Sequence, residues 1–289
     1  TLRSSSAASD VYKRQTKQSK PFFLYFAPNA PHSPATPETS TVEMYNNVGL
    51  PKVPSLFESD RSDKPTWLRK IPAFKGGRRK KLLTFRRNQL RTLWSLDRTI
   101  GSLLDQLHIS DLIDQTLIFY ISDNGVFLGE HGLGSKAAVY EEAVKVPFGV
   151  YLKGVFEGGG VNREHLVANI DIAPTIYDLV GIAPKVKPDG LSLRPLSQGR
   201  TSWRKGLLLE SWRGSESRTP FVAYHTADSV YVKNSGERSE FYDLIVDPHQ
   251  LDNRIDDPKL ASKLSSLEKD LNATLMRVRG SVSFDVPQA

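Results

Sequence analysis

Apolar positions along the chain fall in short blocks separated by polar and proline-rich stretches, and the spacing within each block predicts its element. Pro21 to Ala27 is a compact apolar run, read as a buried strand, that ends in the proline-punctuated loop Pro28 to Pro34. From Thr36 to Lys81 prolines are frequent and periodicity is weak, so this stretch reads as a long excursion without regular elements, the kind of loop on which specificity is expected to depend. Phe85 to Leu107 then places Leu90, Leu93, Leu96, Ile100, Leu103, Leu104 and Leu107 on one stripe at the helical period, with Gly101 in the stripe suited to a close neighbour. Thr116 to Ile121 is read as a buried strand, Val146 to Leu152 as a second one, and Asn169 to Val180 as a helix with Pro174 near its first turn. Strand and helix in alternation predict α/β organisation.

The rhythm changes after Gly190. Gly206 to Ser211, Phe221 to His225, Ser229 to Lys233 and Phe241 to Leu244 are short strand candidates between polar turns. A last helix is announced by Asp257 as N-cap and Pro258 at the first helical position, carries Leu260, Leu264, Leu267, Leu271 and Leu275 on one face, and stops at Gly280. The tail is therefore expected to be a small antiparallel sheet with one covering helix.

Composition narrows the classes. With 39% hydrophobic and 25% charged residues the chain fits a globular protein, and no apolar run reaches the length of a membrane-spanning helix. Zero cysteines exclude disulfides, thiolate metal sites and a cysteine nucleophile among these 289 residues. A net charge of +7 suits an anionic partner. Thr1 to Gln15 is polar and aperiodic, lacks the apolar centre of a signal peptide, and resembles translated adapter sequence, so it is set aside as a non-native tail.

Chemistry concentrates in one place. The strand ending at Ile121 runs straight into Ser122-Asp123-Asn124-Gly125, then Gly129-Glu130-His131-Gly132, then Lys136. An acid and an amide where the backbone turns at a strand end can direct two oxygens at one hard cation, so Asp123 and Asn124 are candidate metal ligands. Lys136, beyond a glycine-rich loop, is placed to hold an anionic group and to stabilise charge on a leaving oxygen. His32, fixed among Pro31 and Pro34 after the first apolar run, can hydrogen-bond an anion or protonate a leaving group. His131 is read as an oxyanion contact or as a residue behind one. Glu141 and Glu142 are read as structural, pairing with Lys145 or a loop arginine. The basic run Lys75 to Lys81 is read as a solvated loop, although it could attract a sulfated polysaccharide or nucleic acid; it lacks the interleaved aromatics of a nucleic-acid site. Asn272-Ala273-Thr274 matches a glycosylation pattern but falls inside the predicted last helix.

Taken together these segments resemble the sulfatase family of the alkaline phosphatase superfamily, from Lys20 to the C-terminus. Lys20 to Pro34 is similar to the family's strand and histidine loop, Phe119 to Pro147 to its calcium-and-lysine segment, Asn169 to Gly181 with Asp189 to Leu193 to the end of its catalytic domain, and Glu240 to Asn253 to its C-terminal subdomain. Ala30 to Pro34 and the stretch from Pro54 to Trp67 look most like the N-acetylglucosamine-6-sulfatase branch.

The resemblance implies a sulfuric ester hydrolase for sulfated sugars or glycosaminoglycan-like polysaccharides. It implies calcium held in part by Asp123 and Asn124, catalytic contacts from His32 and Lys136, substrate binding by His131, and a formylglycine nucleophile. The family's Cys/Ser-x-Pro-x-Arg segment and upstream Asp-Asp pair have no match here and are expected in a missing N-terminal part, so this chain alone is expected to be inactive. Residues 16–190 are then the C-terminal portion of the catalytic domain, an incomplete mixed sheet flanked by helices, and 191–289 the C-terminal subdomain. The parent is expected to be secreted, periplasmic or lysosomal, with a sulfated carbohydrate as partner, no nucleic acid and no membrane span. Two alternatives remain: a phosphodiesterase or phosphonate hydrolase of the same superfamily, and a non-catalytic remnant that binds sulfated glycans.

Overall fold

The computed structural model describes residues 21–136, 138–211 and 219–283; the Thr1 to Gln15 tail lies outside them. The chain divides into two compact units, residues 21–51 with 75–116 and residues 52–74 with 117–283.

The first unit is organised by a 33-residue helix, Gly77–Ile109. It begins eight residues before the expected start, so the basic run is the first turn of a helix and not a loop. Its arginines hold the preceding segment by backbone carbonyls: Arg87 Nε donates to Val48 O and Arg91 Nε to Met44 O, both at 2.9 Å. Gln89 Nε2 reaches Pro31 O at 3.4 Å. Two expectations fail in this unit. Pro21 to Ala27 forms no strand, and Phe23 and Tyr25 are 74% and 82% exposed. An apolar run becomes a strand only when it joins a ladder, and among the described residues no strand pairs with this one. Gly101 meets nothing within 4 Å of where a Cβ would stand, so it accommodates no close neighbour.

In the second unit β1 (Ile118–Ile121) pairs antiparallel with β4 (Phe148–Tyr151), Ile118 opposite Tyr151 and Ile121 opposite Phe148. Both strands are half-buried instead of fully buried, with Tyr120 exposed. Between them lies a short ribbon, β2 (Phe127–Leu128) on β3 (Gly134–Ser135). The helix Ile172–Val180 follows a 3-10 turn, Asn169–Asp171, and closes on Gly181 in the left-handed region.

The C-terminal part matches its pattern closely. β5 (Gly206–Ser211), β6 (Phe221–Thr226), β7 (Ser229–Asn234) and β8 (Glu240–Asp243) form an antiparallel meander in sequence order. Asp257 caps the turn Pro258–Leu260 by accepting from Lys259 N, and the helix Ala261–Arg279 ends on left-handed Gly280. Side chains alternate across a strand. Val222, Tyr224, Tyr231 and Phe241 therefore face Leu267, Leu271 and Leu275 of this helix. Ala223, Val230, Val232 and Tyr242 point the other way and share a core with Leu68, Phe127, Leu133 and Tyr140. The sheet is covered on both faces, by the expected helix and by the loop that carries the candidate chemistry.

Candidate functional site

The Asp-Asn-Gly turn at the end of β1 is held at every residue. Ser122 Oγ donates to Asn124 O at 2.9 Å, Asn124 N to Asp123 Oδ1 at 2.9 Å, and Gly125 N to Ala143 O at 2.9 Å. A Cβ on Gly125 would stand 2.0 Å from Glu142 O, so this close approach admits glycine alone. Asn169 donates from Nδ2 to the carbonyls of Ser122 and Asp123 at 3.2 and 3.3 Å. Asn169 is itself fixed by its neighbour Asp171, whose buried carboxylate accepts from Ala168 N, Leu191 N and the Arg204 guanidinium.

The chain leaves this turn along β2, reverses through Gly129, His131 and Gly132, all at positive φ, and returns along β3. The reversal brings Lys136 back to the turn it left, with its Nζ donating to Asn124 Oδ1 at 3.0 Å. An acid, an amide and an ammonium predicted from spacing thus stand together. Asp123 is exposed and Lys136 half-buried.

His131 has a different setting. It is fully buried, stacks on Tyr140 with ring centroids 4.2 Å apart, and donates from Nδ1 to Glu58 Oε2 at 2.8 Å. Its Nε2 faces Glu142 Oε2 at 3.6 Å, an ion-pair distance longer than a good hydrogen bond. Burial opposes its charge, but the Glu142 and Glu58 carboxylates outweigh that and hold the imidazole above its ordinary pKa. Burial likewise works to raise Glu142, and His131 beside it prevails, keeping that carboxyl below its usual range. Glu130 is pushed up by burial, which outweighs its backbone hydrogen bonds and the weaker pull of His131.

The segment 52–74, expected to be an irregular excursion, straps this loop. Phe57 N donates to Gly129 O at 2.8 Å, His131 N to Ser55 O at 2.7 Å, and Ser55 Oγ to Glu142 Oε1 at 3.0 Å. Lys64 is fully buried, donates to the carbonyls of Gln250 and Leu251 at 2.8 and 2.7 Å, and lies over the Tyr242 ring. Glu141 pairs with Lys145 as expected, and also accepts from His225 Nε2 at 2.6 Å. Glu58, Lys64, Asn169 and Asp171 were not singled out in the sequence, because their partners are far away along the chain.

His32 belongs to the first unit. It is exposed, and its Nδ1 donates to Ser33 O at 2.9 Å.

The donors at the turn fit a hard cation in kind, a carboxylate and an amide oxygen. They are two oxygens, and among the described residues no three acids or histidines gather into a metal cluster. Asp123 and Asn124 therefore suit part of a coordination sphere.

A sequence profile described as Sulfatase matches residues 5–182, and one described as N-sulphoglucosamine sulphohydrolase, C-terminal, matches residues 129–277. The N-acetylglucosamine-6-O-sulfatase of Bacteroides thetaiotaomicron is 30% identical over 198 residues, covering 66% of this chain and 35% of that protein. Choline-sulfatase of Rhizobium meliloti is 34% identical over 169 residues, covering 57% of this chain and 32% of that protein. The solved structure of BT4656 in complex with its substrate D-glucosamine-2-N,6-O-disulfate matches with a TM-score of 0.69 at 27% identity, over 73% of this chain and 44% of the other. Phosphonate monoester hydrolase SpPMH from Silicibacter pomeroyi shares the fold, with a TM-score of 0.77 at 22% identity over 92% of this chain and 58% of the other. The chain spans about a third of the length of the curated relatives it matches.

Proposed function

Since the chain belongs to the sulfatase family, we propose that it serves hydrolysis of sulfuric esters, releasing sulfate from sulfated sugars of the glycosaminoglycan kind. The observation that carries this reading is the Lys136 ammonium at 3.0 Å from Asn124 Oδ1, at the strand end that also bears Asp123. A cation and two hard oxygen donors in one turn are the parts needed to grip a sulfate group. Members of the family generally use calcium and formylglycine. Asp123 and Asn124 are assigned as two of the calcium ligands, and calcium bound there supplies Lewis-acid polarisation of the ester oxygens.

Beside it, this chain's own residues hold the sulfate, the turn and the departing group. Lys136 holds a sulfate oxygen and offsets the charge that grows on it. Asn169 and Gly125 keep the turn from swinging. His32 is assigned the transfer of a proton to the departing alcohol oxygen, the role that the family resemblance gives it. His131 acts through the loop, its contacts with Glu58 and Glu142 fixing the reversal between Asn124 and Lys136. The substrate class follows the N-acetylglucosamine-6-sulfatase relatives, and the expected location is secreted, periplasmic or lysosomal. No helix of the described residues is long and apolar enough to cross a membrane.

The test compares sulfate release from N-acetylglucosamine-6-sulfate and an aryl sulfate with cleavage of the matching aryl phosphonate, using the protein expressed from its complete reading frame with formylglycine maturation. Sulfate release should dominate, and Lys136→Ala should lower kcat by about 10²–10³-fold. Phosphonate cleavage without sulfate release would overturn the reading.

A further inference from the structure

The first unit carries a concentration of positive charge that the Asp123–Lys136 site does not use. From Lys75 to Leu96 the sequence has eight lysines and arginines and no acidic residue, which exceeds the net +7 of the whole chain and leaves the remainder slightly acidic. Arg87 and Arg91 are spent on the carbonyls of Val48 and Met44. Lys75, Arg78, Arg79, Lys80 and Lys81 are all exposed, the last four consecutive in the helix Gly77–Ile109 and so distributed around its first turn. Lys75, Lys80 and Lys81 take part in no ion pair among the described residues.

For folding, this placement is adverse. Cations at the start of a helix face its positive end and each costs a few tenths of a kcal/mol, where acids would stabilise it. The first turn has no acid. Four adjacent like charges also repel one another. Exposed lysines at Lys75, Lys80 and Lys81, costly to the helix start and outside every ion pair of the described residues, are explained by an anionic ligand.

We propose that Lys75, Lys80 and Lys81 form a surface that binds the sulfate groups of an extended sulfated polysaccharide, an anchoring site distinct in its residues from the one that grips the scissile ester. The choice of a sulfated glycan rests on the function proposed above. The composition of the patch favours it over nucleic acid: the nearest aromatics, Phe74 and Phe85, are buried or half-buried and present no exposed ring for a base to stack on. A polymer held here would be retained through many encounters, while a monosaccharide would gain nothing from it.

Binding of the full chain to fluorescein-labelled heparin, to desulfated heparin and to a single-stranded DNA oligomer, each titrated with salt, tests this. The control variant Arg163→Ala/Lys185→Ala/Lys187→Ala removes the same charge from exposed positions of the second unit. Heparin should bind with a steep salt dependence, and Lys75→Ala/Lys80→Ala/Lys81→Ala should weaken it by about tenfold or more and flatten the log–log salt slope by about two. The control variant should bind as the parent does, and desulfated heparin and DNA should bind more weakly than heparin. No heparin binding at low salt, equal losses in both variants, equal binding of desulfated heparin, or tighter binding of DNA would each overturn the proposal. Turnover by the protein expressed from its complete reading frame with formylglycine maturation separates the two readings: there the patch variant should cleave a small aryl sulfate at the parental rate, and a matured protein that binds heparin through the patch yet releases no sulfate refutes the function while leaving the anchor.

Discussion

His131 sits where a charged imidazole is both costly and held, and that tension sets a pH dependence. A group whose folded pKa is above its ordinary 6.5 adds stability below that pH, and the addition fades as pH rises through the folded pKa. Glu142, held low, contributes above its ordinary 4.5, and its contribution fades as pH falls through its depressed folded pKa. Stability of the second unit should therefore be greatest between the two ranges and decline from mildly acidic toward alkaline pH. His131→Gln should cost about 3–5 kcal/mol by leaving two carboxylates without their cation, and urea midpoints of the variant should lose that decline. An unchanged pH profile in the variant would refute the ion-pair account. Gly125 makes a second point at this scale. Gly125→Ala forces the turn away from Glu142 O and should cost about 1–3 kcal/mol, with terbium luminescence at the Asp123–Asn124 turn falling in parallel; a variant as stable as the parent would show that the turn yields. Asp123, Asn124 and Lys136 were legible in the sequence because a short hairpin encodes their proximity within a few residues. Glu58 and Asn169 were illegible because nothing local marks a residue whose partner arrives from 73 or 46 positions away.

Elements were legible where local signals and burial agree. The closing helix has a cap, a proline at its entry, an apolar face of regular period and a glycine stop, and each appears where the pattern put it, give or take a 3-10 first turn. The four C-terminal strands alternate cleanly because each face meets a different partner. Pro21 to Ala27 has apolar residues but joins no ladder of the described strands, and pattern alone does not reveal that. The start of the long helix was missed because four cations in its first turn carry no apolar period. The burial of the closing helix has a direct measure. Leu271, fully buried against Val222, Tyr224 and Phe241, should cost about 2–5 kcal/mol on truncation to alanine, while Met276→Ala, at an exposed position of the same helix, should change stability by less than about 0.5 kcal/mol. Denaturant melts that rank the two variants equally would mean that the helix does not rely on this face.

Across the whole molecule, the two units differ in how much apolar surface they bury. In the first unit Ala35 and, in the long helix, Leu82 and Leu107 are the buried apolar residues among those described; the helix also buries the polar Gln89, Arg91 and Thr92. The second unit has two clusters built on a covered sheet, together with buried ion pairs at His131 and Asp171. Helix stability in proteins comes mainly from the packing of one face, so a long helix over a thin core is held weakly for its length. The charge asymmetry acts in the same direction, since the cation-rich first turn repels itself most at low salt. Unfolding should therefore proceed in two steps, with the helical signal of Gly77–Ile109 lost first. Trp94 lies in this helix and Trp67 and Trp203 in the second unit, so the difference between parent and Trp94→Phe fluorescence isolates the first step. Its midpoint in urea should fall below that of the remaining tryptophan signal, and added salt should move it up more than the second. A single transition seen alike by helicity and by both tryptophan signals would show that the thin core is stabilised as one cooperative body with the rest.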